Sequence, residues 1–152
     1  MLRRAALAIV QHYWRLKRGL TLGARGIVID AEGRVLLVRH TYMPGWTFPG
    51  GGVEYDETIE SALDRELDEE VGVARTGPAT LLGIYANHDA FPGDHIAVYV
   101  IRDWRQTRPP APNLEIAEVG FFAPDQLPAD VSPGARRRIE EVLGLRAQQS
   151  AW

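Results

Sequence analysis

The apolar positions change period along the chain, and each change predicts an element. Leu2, Ala5, Ala6, Ile9, Tyr13 and Leu16 recur at helical spacing among Arg3, Arg4, Arg15, Lys17 and Arg18, which predicts a basic amphipathic helix over residues 1–20. From Gly23 the pattern becomes β-rich: "ARGIVIDAEGRVLLVRH" holds two runs around Asp30-Ala31-Glu32-Gly33 and reads as a hairpin. A helical stretch follows from about Glu57 to Val71, with Asp56 placed to cap it. Strands are predicted at Thr80 to Asn87 and His95 to Trp104, both rich in β-branched and aromatic residues. "RPPAPNLE" is a loop because its prolines exclude both helix and inner strand. "AEVGFFA" resumes a strand, and Ser132 followed by Pro133 starts a last helix. The order strands, helix, strands, helix predicts an α/β sandwich with a mixed sheet. The expected unit is one domain over residues 21–147, with the N-terminal helix as part of it and residues 148–152 as a tail.

Composition agrees with one soluble domain: 152 residues, 45% hydrophobic and 24% charged. The absence of cysteine excludes a disulfide scaffold and any thiolate metal site, so nothing demands an oxidising compartment and the cytoplasm is the default. Ala5 to Val10 is too short an apolar run to span a membrane, and no small-residue cleavage signal follows it. The N-terminal helix is therefore expected to pack on its own domain or on a second subunit, as in a homodimer. Contact with a membrane surface is the less favoured alternative.

Charge changes the picture more. Nine acids and one base lie between Glu54 and Glu70, a local charge of −8, so a net charge of −3 leaves the remainder at +5. An acidic focus in an otherwise basic chain suits a site that holds cations while its surroundings attract a polyanion, and it lacks the basic stripe of a nucleic-acid binder. At about 100° per residue, Glu66 and Glu70 project within about 20° of Ile59, on the apolar face of the helix, and Glu69 borders it. Asp64 and Asp68 point away. Three carboxylates at i, i+3 and i+4 repel one another, and apolar neighbours add a desolvation cost. A hard divalent cation relieves both, and all-oxygen ligation is what Mg²⁺ prefers. Gly50, Gly51 and Gly52 let the backbone come close to a ligand just before this helix.

Gly51, five residues, Glu57, seven residues and then "RELDEEVGV" from Arg65 fill every position of the pattern G-x5-E-x7-R-E-U-x-E-E-x-G-U. The chain thereby resembles the Nudix hydrolase family, and its strand order resembles the family's α/β/α sandwich from Leu22 to Pro128. The resemblance implies hydrolysis of a nucleoside diphosphate linked to another group, with Mg²⁺, or Mn²⁺, as cofactor. It implies Glu66, Glu69 and Glu70 as metal ligands, with the Gly50 carbonyl as a further one, and Glu57 and Arg65 as groups that orient the helix and its carboxylates. The proton acceptor it implies is a box glutamate, Glu66 or Glu69, or an acid on a later segment, Glu115 or Glu118.

Around this centre, Arg39 at the end of a strand is a candidate phosphate contact, with a solvated edge position as the alternative. Trp46, on a loop near Tyr42 and Phe48, is a candidate for stacking on a nucleobase, and Gly51 for close approach to substrate. His40, His88 and His95 fit no ligand spacing and read as structural, and the serines lack a nucleophile elbow. ADP-ribose, nucleotide sugars, nucleoside triphosphates and capped RNA ends are the substrate classes left open. The rival reading is a Nudix-like module that senses a nucleotide or binds a protein without turnover.

Overall fold

The computed structural model of the chain describes Tyr13, Lys17 and residues 19–152. Apart from Tyr13, Lys17, Gly19 and Leu20, the basic amphipathic helix expected over residues 1–20, and the contacts expected of it, lie outside the described residues. Nine strands and two helices follow: β1 (Thr21–Val28), β2 (Val35–His40), β3 (Trp46–Thr47), β4 (Gly50–Gly52), α1 (Ile59–Val71), β5 (Val73–Arg75), β6 (Thr80–Ala86), β7 (Asp94–Ile101), β8 (Trp104–Gln106), β9 (Ile116–Phe122) and α2 (Pro133–Val142).

The predicted hairpin is where the fold departs from the sequence reading. β1 and β2 are joined by a tight turn but pair through one backbone bridge, Ile29 to Val35, and then part into different sheets. β1 lies between β4 and β7, antiparallel to the first and parallel to the second over its whole length. β2 lies between β3 and β9. Each strand satisfies its backbone groups more fully with these partners than a hairpin would allow. The order β4-β1-β7-β6 makes a mixed sheet, β3-β2-β9 a second sheet, and β5-β8 a short ladder.

The apolar stretches of both central strands, residues 27–28 and 35–38, are buried on both faces. Ala24 and Val28 of β1, with Leu36 and Val38 of β2, pack with Ala62, Leu63, Leu67 and Val71 of α1. Ile27, Ile29, Val35 and Leu37 pack instead with Ala135 and Ile139 of α2, together with Trp46 and Phe48. The result is two apolar layers, one under each helix. The tail closes the second layer: Trp152 donates its backbone N–H to the Ala86 carbonyl (2.9 Å), and its ring meets Phe48 and Tyr85 edge-on.

α1 starts two residues later than predicted. Thr58, not Asp56, is its N-cap: the Thr58 hydroxyl accepts from the Ser61 N–H (3.1 Å) and the Ser61 hydroxyl from the Thr58 N–H (2.9 Å). This reciprocal box satisfies two orphan donors where Asp56 could have satisfied one. The helix ends at Gly72, whose left-handed φ of 63° returns its N–H to the Asp68 carbonyl. α2 begins as read, with Ser132 as cap and Pro133 in its first turn.

Candidate active site

β4 lays the glycine backbone against the C-terminal half of α1, and two of the glycines have specific work there. Gly50 holds a φ of +137°, closed to other residues, and its N–H donates to Glu70 Oε2 at 2.8 Å. A Cβ on Gly51 would stand 2.5 Å from Glu66 Oε1, so only glycine lets the strand and that carboxylate meet.

The acidic side chains divide by burial. Glu70 is 7% exposed, and its other oxygen lies 3.0 Å from Nε2 of the equally buried His40. Glu66 is nearly buried and Glu69 largely exposed. Asp64 and Asp68 face outward to Arg75 and Arg108, as their azimuth on the helix predicts. Arg65 ties the inner group together. Its Nε and Nη2 grip both oxygens of Glu57 (2.7 and 3.0 Å), Nη2 also donates to the Gly52 carbonyl (3.1 Å), and Nη1 donates to Glu66 Oε1 (2.7 Å) and reaches Glu69 Oε2 (3.4 Å). At about 100° per residue Arg65 starts on a different azimuth from Glu66 and Glu70. Its long side chain reaches back across the helix, so one guanidinium serves three carboxylates.

These contacts sort the ionisation states. The two-pronged hydrogen bond from Arg65 holds the Glu57 carboxyl down to about 2, and Glu57 in turn pushes the guanidinium up. Glu66 goes the other way: burial raises it, Arg65 opposes, and the charges of Glu70 and Glu69 add to the rise. The cluster is therefore short of positive charge at its buried end.

The donor set suits a hard cation. Glu66, Glu69, Glu70 and the Gly50 carbonyl offer oxygen donors, and each Glu70 oxygen keeps a further lone pair beyond the one it has committed to His40 or Gly50. Among the described residues no three carboxylates or imidazoles stand close enough together to hold an ion, and Arg65 bonds both Glu66 and Glu69.

Three residues at this site carried little sequence signal. His40 sits where the register of β2 against β9 shifts, and such an irregularity re-aims a side chain, here inward to Glu70. Arg25, within β1, donates Nη1 to the Phe48 carbonyl at 2.8 Å. Tyr42 is largely exposed beside the His40 ring, at 5.1 Å between centroids.

Arg39 and Trp46 form a different group. Arg39 pairs with Asp130 (2.9 Å) and Glu118 (3.4 Å) and lies 5.1 Å over the Trp46 ring. Trp46 is 6% exposed and packs edge-on against Phe122, so its ring belongs to the core and offers no free face for a nucleobase. Tyr42 is the exposed ring of the aromatic trio. Glu118 is committed to Arg39, whereas Glu115 is exposed on the loop that meets Thr41.

Comparison with known proteins places this arrangement. The NUDIX domain family matches residues 19–148. The 8-oxo-dGTP diphosphatase of Proteus vulgaris is 40% identical over 88 residues, which are 54% of this chain and 76% of that protein. An RNA pyrophosphohydrolase of Coxiella burnetii is 44% identical over 59 residues, 38% of this chain and 26% of that protein. The crystal structure of a MutT NUDIX hydrolase from Burkholderia pseudomallei superposes with a TM-score of 0.70 at 28% identity, covering 80% of this chain and 97% of that one. Among the described residues no helix is long and apolar enough to cross a membrane.

Proposed function

This chain belongs to the NUDIX hydrolase family, and we propose that it is a Mg²⁺- or Mn²⁺-dependent pyrophosphohydrolase acting on a nucleoside diphosphate linked to another group. The observation that carries the reading is the buried carboxylate end of α1 laid against the glycine strand, with Gly50 and His40 fixing Glu70 and Arg65 fixing Glu57 and Glu66. In this reading Glu66, Glu69, Glu70 and the Gly50 carbonyl hold the metal. The bound ion supplies charge neutralisation and polarises the phosphoryl oxygens.

The chain's own residues supply the rest. Water attacks one phosphorus of the diphosphate, the bridging P–O bond breaks, and the departing phosphate keeps the bond's electron pair. The proton of the attacking water passes to a carboxylate, for which Glu66 and Glu69 on α1 and Glu115 on the later loop are the candidates. Arg65 acts through others. By gripping Glu57 with one prong and Glu66 with another, it fixes where the inner carboxylate stands.

The named activities of the two relatives, on an oxidised nucleoside triphosphate and on RNA, make nucleoside triphosphates the first class to try, followed by nucleotide sugars and ADP-ribose. The test is hydrolysis of such a panel with and without Mg²⁺ or Mn²⁺, scored by phosphate release and by the nucleotide product. Metal-dependent turnover of one class is expected. Tight binding of a nucleotide with no turnover anywhere in the panel would replace the enzyme with a sensing module.

A further inference from the structure

Arg25 is a cation in an unusual place. It lies within β1, the strand held on both sides by β4 and β7, and its register partners are Gly50 and Val98. Its neighbour Ala24 is fully buried in the core. A guanidinium in a central strand carries a desolvation cost that some partner must offset. The other confined arginines show the usual solution: Arg65, Arg75 and Arg138 each have a carboxylate within 3.0 Å. Among the described residues Arg25 has none within 4.0 Å, and residues 1–18 contain no acid that could serve. Among the described residues it donates from Nη1 to the Phe48 carbonyl, which engages one of its five N–H donors.

The position of that bond matters. Phe48 stands two residues before Gly50, whose N–H holds Glu70, so the guanidinium and the innermost carboxylate flank the same short bend. Glu70, Tyr42 and Glu66 all act on Arg25 electrostatically, although burial outweighs them. A planar fork with spare donors beside a carboxylate cluster, and not bonded to it, matches the two-pronged geometry of a phosphate.

We infer that Arg25 is a phosphate-binding residue, gripping a non-bridging oxygen pair of the substrate's diphosphate where it crosses the Phe48 to Gly50 bend. This rests on the pyrophosphohydrolase reading above and adds to it the residue that meets the anion from the strand side. A purely structural Arg25, a strut for the Phe48 carbonyl, makes a different prediction. Losing a strut loosens the glycine bend and weakens metal binding, whereas losing an anion-binding cation beside Glu70 and Glu66 leaves metal binding unchanged or tighter.

The experiment uses the full chain and two variants, Arg25→Met and Arg25→Lys. Mn²⁺ affinity is measured alone by electron paramagnetic resonance, and inorganic pyrophosphate affinity is measured by calorimetry at saturating Mn²⁺. The expected result for Arg25→Met is pyrophosphate binding weakened about tenfold or more, with Mn²⁺ binding equal to or tighter than wild type. Arg25→Lys keeps the charge and loses the fork, so a loss of a few fold is expected, and this variant decides the matter if the methionine variant does not fold. Unchanged pyrophosphate affinity in both variants overturns the assignment. So does a parallel loss of Mn²⁺ and pyrophosphate, or a wild type that binds Mn²⁺ but no pyrophosphate. A wild type that binds no Mn²⁺ and turns over no substrate overturns the underlying reading instead.

Discussion

Replacing Glu70 with Gln separates the charge of the site from its packing. The wild-type carboxylate accepts from the Gly50 N–H at 2.8 Å and faces His40 Nε2 at 3.0 Å. The amide has one oxygen and one NH₂. If the oxygen stays on Gly50, the NH₂ meets His40, whose Nε2 must then accept and move its proton to Nδ1. That nitrogen is buried and has no partner among the described residues, so the cost is one unsatisfied N–H, about 1–3 kcal/mol. Relief of repulsion with Glu66 offsets part of it. For a chain of this size the loss before that offset corresponds to a melting temperature lower by roughly 2–12 °C. Metal binding is expected to fall much further, by about 100-fold or more, since even residues behind a ligand are worth 10 to 100-fold. The assay is thermal unfolding against Mn²⁺ concentration, with turnover in parallel. At a hundred times its dissociation constant the metal stabilises wild type by about 2.7 kcal/mol. At the same concentration a variant bound 100-fold more weakly gains only roughly 0.4 kcal/mol. A folded Glu70→Gln protein with the wild-type metal response and full turnover would refute Glu70 as a ligand.

The remaining predictions probe other parts of the molecule. Gly51→Ala puts a Cβ 2.5 Å from Glu66 Oε1, and a flexible carboxylate yields more easily than a strand. Turnover should drop at least about tenfold with little change in melting temperature, and full turnover would show that the placement of Glu66 is not critical. Burial raises the Asp30 carboxyl, but hydrogen bonds from the Arg34 backbone and guanidinium and from the Glu32 N–H outweigh it and hold the group below its ordinary value of 3.8. Its stabilisation is therefore complete above that value and is lost as pH falls through the lower folded-state value. The melting-temperature advantage of wild type over Asp30→Asn should shrink below about pH 4, and a constant advantage down to pH 2.5 would contradict the linkage. Trp152→Ala should cost about 2 kcal/mol, less than a fully buried tryptophan, because the ring packs on Phe48 and Tyr85 but is only partly buried. Urea denaturation measures it, and an unchanged midpoint would make the tail incidental.

Much of the fold was legible because burial leaves a period. The runs that became β1, β2, β6, β7 and β9 read as strands from their β-branched content, and the apolar face of α1 followed from its angular spacing. Pairing was not legible. The turn at Asp30 to Gly33 is as tight as a hairpin's, yet the strands it joins separate into two sheets, because each has one of its two partners, β7 or β9, some seventy residues or more further on. Local pattern reports which face is buried and is silent about which distant strand covers the edge. The N-cap failed for a related reason: Asp56 and Thr58 both have capping side chains, and only the reciprocal bond to Ser61 selects the second.

The site shows the same division. Glu57, Arg65, Glu66, Glu69, Glu70 and the glycines lie within 21 residues on one strand and one helix, so their geometry follows from local spacing. His40 and Arg25 reach the site across the fold. Nothing in "VLLVRH" announces that a register shift turns its histidine toward a carboxylate thirty residues away. Nothing in "TLGARGIV" tells whether its arginine is a solvated edge charge or a confined one; the strands on either side decide that. Arg39 and Trp46 carry the converse lesson. They looked like ligand contacts because a charged and an aromatic residue stood beside the glycines, but Asp130 and Glu118 claim the first and the core claims the second. A polar residue is available to a ligand only after its competition with the protein's own groups is known. By that measure Arg25, which among the described residues has one carbonyl partner and no carboxylate, is more available than Arg39, although both are only partly exposed.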